Sequence, residues 1–235
     1  RGAHPAPLAH RAGAALPVNY LTAYHTLFRV AALRPGEHVL IHMAAGGGGI
    51  AALQLCKTVE GVVTYGTASA AKHEAIRREG CHHPIDYRAL DWEAEARRLT
   101  GGRGLDVVLD PLGGRDTKKA YRLLRPAGRL VMFGFANAVS GPRKRWLRLA
   151  GQALRIPLFN PISLMNANRA VAGVNIGHLW GEVEMMLEEV RELLSLHRRG
   201  AIRPRVDVVF PFERAAEAHR RIEERRNVGK VLLRP

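Results

Sequence analysis

The residues best placed to do chemistry lie in one short run, Ala44-Ala45-Gly46-Gly47-Gly48-Gly49. Against the spacing G-x-G-x-x-G, Ala44, Gly46 and Gly49 occupy the three small positions. Between a strand and a helix such a run has a defined use. The first small residue makes the turn tight, the second lets backbone approach a pyrophosphate, and the third lets the helix lie close on the sheet. Unpaired N–H groups and the positive end of the helix dipole then hold the phosphates. Without that context the same residues would be a glycine-rich connector, so the flanking elements decide.

A second group follows. An NAD site places Asp or Glu at the end of the second strand, on the ribose hydroxyl. Here the corresponding run is Tyr65-Gly66-Thr67-Ala68-Ser69, with no acid, and Lys72 comes within the next turn. A small polar end with a cation suits the 2′-phosphate of NADP(H). A solvated helix lysine accounts for Lys72 equally well on local sequence. Metal chemistry needs converging Cys, His and acidic ligands. Cys56 and Cys81 have no such spacing, and His42 reads as a strand residue beside the turn. Asn19, Tyr20 and Tyr24 are acid–base candidates by position alone, with helix packing the simpler account, so the catalytic residue is left unassigned.

The elements that must position these groups alternate. Strands are predicted at 37–43, 62–67, 83–87, 105–109 and 129–135, with helices at 49–59, 70–79, 91–99 and 116–124 between them. Gly80 suits the end of the second helix and Asp91 the start of the third. Such alternation predicts an α/β fold, a doubly wound parallel sheet of Rossmann type with helices on both faces. Residues 138–165 break the rhythm, interleaving Arg143, Lys144, Arg145 and Arg148 with Trp146, Leu147 and Leu149. A strand at 169–176, an amphipathic helix at 182–199 and a strand–helix–strand at 206–210, 213–225 and 230–233 complete the chain.

Composition sets outer limits. The chain of 235 residues is 47% hydrophobic and 24% charged, ordinary for a soluble globular protein. No apolar run approaches the ~20 residues of a membrane span, and no signal peptide is visible, so a cytoplasmic setting is expected. With two cysteines, a disulfide framework is not expected. The formal charge of +15 is carried almost wholly by arginines spread along the chain. It fits affinity for an anionic cofactor, and it also admits an anionic membrane surface, for which the basic and apolar segment 138–165 is the motive. Nucleic acid is a weaker partner, since no recognition motif accompanies the charge.

Several motifs in order carry a resemblance. Val18-Asn19-Tyr20-Leu21-Thr22-Ala23-Tyr24, His42-Met43-Ala44-Ala45-Gly46-Gly47, Gly66-Thr67-Ala68-Ser69 and Ile85-Asp86-Tyr87 resemble the medium-chain dehydrogenase/reductase superfamily, in its zinc-free quinone oxidoreductase branch. Asp110-Pro111-Leu112-Gly113-Gly114, Asn168-Arg169-Ala170-Val171-Ala172-Gly173 and Asn227-Val228-Gly229-Lys230-Val231-Leu232 resemble most the vesicle amine transport protein homologues within it. The resemblance implies NADP(H) as cofactor, with Ala45, Gly46, Gly47 and Gly48 on the pyrophosphate and Ser69, Lys72 and Tyr87 on the 2′-phosphate and ribose. It places Gly114 near the adenosine, Thr22, Phe133, Gly134 and Phe135 beside the nicotinamide, and Val174, Asn175 and Ile176 at its carboxamide edge. Gly48 departs from the pattern, where the family usually has Val.

The same resemblance implies zinc-free hydride transfer to a small-molecule quinone or activated alkene or carbonyl, and a homodimer joined at the 169–176 strand. An alternative is a membrane- or phospholipid-associated interaction protein that binds NADPH without significant turnover. Residues 1–13 are expected to be the tail of a preceding GroES-like domain, 14–200 the cofactor domain, and 201–235 a segment returning toward the catalytic domain. On that reading the chain is a fragment or truncated product lacking one wall of the substrate cleft, so it can bind cofactor without turning over.

Overall fold

The computed structural model describes residues 10–136 and 157–235. The proposed domain remnant at 1–13 therefore lies largely outside the described residues, as does the basic and apolar stretch up to residue 156.

Two helices, α1 (His10–Ala15) and α2 (Pro17–Tyr24), lead into a wider π-helical turn, His25–Val30. The alternating part follows: β1 (His38–Ile41), α3 (Gly47–Cys56), β2 (Val63–Ala68), a 3₁₀ turn Ala70–Lys72, α4 (His73–Arg78), β3 (His83–Asp86), α5 (Trp92–Leu99), β4 (Leu105–Asp110), α6 (Arg115–Leu123) and β5 (Leu124–Met132). Beyond residue 156 come α7 (Pro161–Ala167), β6 (Ala170–Gly173), α8 (Val183–Arg198), β7 (Val206–Pro211), α9 (Ala215–Glu223) and β8 (Lys230–Arg234).

Six parallel strands form one sheet in the order β3-β2-β1-β4-β5-β6. This is the doubly wound order, with its switch point between β1 and β4, where a crevice opens outside the carboxyl ends of the strands. The predicted alternation is thus realised. Successive side chains of a strand point to opposite faces, and two cores result. Val39, Ile41, Val107 and Leu109 pack with α2 and α3 on one face. Leu40, Tyr65, Val108 and Leu130 pack with α5 and α6 on the other. All six residues of β4 are buried, as a central parallel strand covered on both faces requires.

Local signals hold at the element ends. Asp91 Oδ1 accepts from Glu93 N at 3.1 Å and caps α5, and Gly80 takes φ 109° after α4. Two departures stand out. β5 begins at Leu124, through Pro126 and Gly128, because a register shift against β4 absorbs the irregular start. The last strands do not join the main sheet: β7 and β8 form a separate parallel pair, bridged by α9. No described helix is long and apolar enough to cross a membrane.

Candidate functional site

The run 44–49 lies where β1 turns into α3. Gly46 is the N-cap, in extended conformation, and the first intrahelical bond is Ile50 N to Gly46 O at 2.9 Å. The N–H groups of Gly47, Gly48 and Gly49 precede that bond, as the first N–H groups of any helix do. They open onto a cavity of about 570 Å³. Glycine is demanded unequally here. A Cβ at Gly49 would lie 2.4 Å from Met43 O and 2.6 Å from Ala44 Cα, so the third small residue is what lets α3 lie against β1. A Cβ at Gly47 would strike the Asn19 side-chain amide, whereas at Gly48 it would meet nothing within 4 Å. The departure at Gly48 therefore leaves the cradle intact.

One end of the cavity collects cations and hydroxyls. Ser69, Lys72, Tyr87 and Arg225 all line it. Lys72 Nζ donates to the carbonyls of Arg225 at 2.6 Å and Asn227 at 2.7 Å. An ammonium has three donors, so one is left for a ligand. Burial lowers the Lys72 pKa below its ordinary 10.5. The Arg225 guanidinium stands 6.0 Å from the centre of the Tyr87 ring. At Tyr87 burial acts to raise the pKa, but hydrogen bonds from Arg225 and Arg88 outweigh it and lower it. A cluster of this kind suits an anionic ligand.

The C-terminal segment fastens this end. Gly229 N donates to Ala45 O at 2.9 Å, and Gly46 and Gly229 form a parallel bridge. Gly229 has φ 99°, and a Cβ there would lie 2.5 Å from Arg205 O. The glycine turn is thus held from both sides, by β1 and by the backbone leading into β8.

The opposite wall comes from α2 and the π turn, which bring Asn19, Thr22, Ala23 and Thr26 to the cavity. Their placement rests on two polar ties. Tyr20 Oη donates to Gln54 Oε1 at 2.7 Å, and Gln54 Nε2 donates to Glu79 Oε2 at 2.6 Å and Arg203 O at 2.9 Å. On the other side His25 Nδ1 and Arg29 Nε lie 2.9 and 2.7 Å from Glu189 Oε1, on α8, whose carboxylate is 2% exposed. Tyr20 is thereby a packing residue: it is buried, its hydroxyl is engaged, and burial first, then Glu79, pushes its pKa far up. Tyr24 does not line the cavity and packs on Phe28, ring centres 4.7 Å apart.

Of the residues singled out from the sequence, Thr22, Ala45, Gly46, Gly47, Gly48, Ser69, Lys72, Tyr87 and Phe133 meet around the cavity. Six others do not line it. Gly114, at φ 67°, is the N-cap of α6. Gly134 runs close under Pro111 O, and Phe135 turns outward, 57% exposed. Val174 and Ile176 pack on the core shared with α2 and α3. The side chain of Asn175 accepts from Gly177 N at 3.1 Å.

Sequence reasoning missed Arg225 and Asn227, together with a floor made of His42, Trp92 and Asp116. Arg225 sits in an arginine-rich stretch that reads as a solvated helix end, and no local signal marks it out. Among the described residues no group of three or more His, Cys, Asp or Glu side chains could hold a metal ion.

The residues fit a dinucleotide on these grounds: a glycine run at the start of α3 lining the cavity, packed so closely on Met43, Ala44 and Asn19 that Gly47 and Gly49 admit no Cβ, and a cation cluster one strand away. Comparison with known proteins agrees. The chain is 48% identical over 231 residues to the synaptic vesicle membrane protein VAT-1 homolog of Rattus norvegicus, covering 98% of this chain and 57% of that protein. It therefore spans little more than half the length of that relative. The crystal structure of the human VAT-1 homolog-like protein superposes with a TM-score of 0.80 at 35% identity, over 98% of this chain and 63% of that one. The Escherichia coli quinone oxidoreductase complexed with NADPH gives 0.82 at 28% identity, over 98% and 67%. The family model described as zinc-binding dehydrogenase matches residues 79–233. The chain belongs to that zinc-binding dehydrogenase family, within the medium-chain dehydrogenase/reductase superfamily.

Proposed function

We propose that the cavity binds NADP(H), and that the protein transfers a hydride between this cofactor and a quinone or an activated alkene or carbonyl, without zinc. The observation that carries the reading is the cluster of Ser69, Lys72, Tyr87 and Arg225 where an NAD site would hold an acid. The quinone oxidoreductase relative solved with NADPH supports it.

When bound, the nicotinamide supplies the hydride; the chain binds and orients it. The N–H groups of Gly47, Gly48 and Gly49 and the dipole of α3 oppose the diphosphate charge. Lys72 and Arg225 would hold the 2′-phosphate, the two cations offsetting its charge. Asn19, Thr22, Thr26 and Phe133 also line the cavity and would shield the nicotinamide from water. Neither Tyr20 nor Tyr24 holds a proton at the cavity, so no proton relay is assigned to them. The zinc-free part of the proposal is supported by the donor set: Cys56 and Cys81 are both buried, and burial pushes the Cys81 thiol up to about 12.

The proposal includes a homodimer. Among the described residues β6 is an outermost strand of the sheet, and its outer edge would pair with the same strand of a second copy. Light scattering tests this, and a monomer overturns it. For the cofactor, titration with NADPH and NADH followed by fluorescence is the test. Binding of NADPH at least about tenfold tighter is expected, since one charge-assisted contact is worth ~1.5–3 kcal/mol. Equal affinities, or none for either, refute it.

A further inference from the structure

One amine in the cavity is set up for more than charge pairing. Lys72 lines the cavity, and its Nζ donates to the carbonyls of Arg225 at 2.6 Å and Asn227 at 2.7 Å. A charged amine carries three N–H donors; a neutral one carries two, with a lone pair in the remaining position. The two carbonyls therefore satisfy both donors of the neutral amine, and what they leave over is its lone pair.

The surroundings favour that neutral form. Lys72 makes no ion pair among the described residues, its printed partners being the two carbonyls. Asp207, the carboxylate that acts on it from further away, is engaged by Arg221 Nε at 2.5 Å. Burial lowers the Lys72 pKa, Arg88 and Arg221 add to the lowering, and Tyr87 and Asp207 oppose it without prevailing. A desolvated lysine beside other cations is the arrangement that turns an ammonium into a nucleophile.

The same end of the cavity selects what this nucleophile meets. The Arg225 guanidinium stands 6.0 Å from the centre of the Tyr87 ring, and Arg88 acts on the Tyr87 hydroxyl together with it. Neither arginine is paired with a carboxylate among the described residues. Ser69 and Tyr87 add hydroxyls. Two unpaired guanidiniums with hydroxyls between them suit a phosphate monoester.

We propose that Lys72 is a covalent modification site for small aldehydes that carry a phosphate. Arg225 and Arg88 hold the phosphate, and the lone pair of Lys72 Nζ attacks the aldehyde carbon. The C=O π electrons move onto oxygen, which takes up one amine proton to give a carbinolamine. The second amine proton then leaves with that hydroxyl as water, and a C=N bond remains. Amine and aldehyde thus give imine and water, with nothing oxidised or reduced, and water reverses the step. The adduct fills the cation cluster, so NADPH and the aldehyde exclude each other, and cofactor binding returns on hydrolysis. The proposal goes beyond the NADP(H) reading and rests on it only for this exclusion.

The test uses pyridoxal 5′-phosphate as the aldehyde and pyridoxal as its phosphate-free control. Borohydride traps the imine, and peptide mass locates it. Each rate at Lys72 is divided by the rate at the chain's other five lysines, which cancels the intrinsic reactivity of the aldehyde. With the phosphate present, Lys72 is expected to react about tenfold or more faster than the others, and with pyridoxal that preference should vanish. Arg225→Met should cut the preference for Lys72 about tenfold with pyridoxal 5′-phosphate and change nothing with pyridoxal. Lys72→Arg keeps a cation and should lose the adduct. NADPH should suppress labelling at Lys72 alone, half-maximally at its Kd. Equal labelling of all lysines, the same preference for Lys72 with both aldehydes, or labelling that bound NADPH does not suppress overturns the proposal while the NADP(H) reading stands. Phosphate-dependent labelling of Lys72 in a chain that binds no NADPH supports the modification site and overturns the NADP(H) reading.

Discussion

Lys72 and Arg225 meet at the cavity although 153 positions separate them: the Lys72 ammonium donates to the Arg225 carbonyl at 2.6 Å, while the Arg225 side chain reaches toward Tyr87. One contact thus ties the turn after β2 to the segment after α9, and places two cations on one side of the cavity.

Lys72→Ala is expected to weaken NADPH by about 10- to 100-fold, the worth of a charge-assisted hydrogen bond of ~1.5–3 kcal/mol, and to change NADH by far less. Arg225→Met should behave alike. Fluorescence titration decides it, and equal weakening of both nucleotides would mean that the two cations do not meet the 2′-phosphate.

Affinity for NADPH should fall in alkaline solution. Burial depresses the Lys72 pKa below 10.5 in the free chain, whereas a bound phosphate favours the charged ammonium and raises it. Binding above the free-chain pKa then takes up a proton, so the NADPH Kd rises as pH climbs through that lowered value. The NADH Kd should stay flatter. Parallel titrations across the alkaline range check the sign, and Lys72→Ala should lose the slope.

The glycines of the turn should separate by stability. Gly49→Ala forces backbone at Met43 and Ala44 to move, so a lower Tm and loss of NADPH binding are expected together. At Gly48 the space is open and φ is not positive. Gly48→Ala should stabilise by about 0.5–1 kcal/mol, roughly 2–4 °C in Tm per kcal/mol for a chain of this size. Thermal denaturation of the two variants tests the contrast.

Glu189→Ala is expected to cost about 1–3 kcal/mol, because the buried carboxylate is the shared partner of His25 and Arg29. Those residues form the π turn that carries Thr26 into the cavity, so weaker NADPH binding should accompany the lower Tm. A loss of stability with unchanged affinity would show that the turn does not depend on this tie.

Much of the molecule is legible from local sequence. Five strands and four helices follow from periodicity, Asp91 and Gly80 mark element ends, and the run 44–49 declares a phosphate turn because its requirements are steric and short-range. The acid missing after Tyr65 and the presence of Ser69 and Lys72 are equally local. The chain itself could not say that β1 would lie between β2 and β4, since strand order is set by crossovers rather than by periodicity, and that order makes the crevice. Nor could it show that Gly229 would clasp Ala45, that Arg225 would leave an apparently solvated arginine stretch to face Tyr87, or that His42 would sit buried under an open cavity. These depend on segments far apart in sequence meeting at one point. Burial, shared hydrogen-bond partners and steric fit exist only once the chain has folded back on itself.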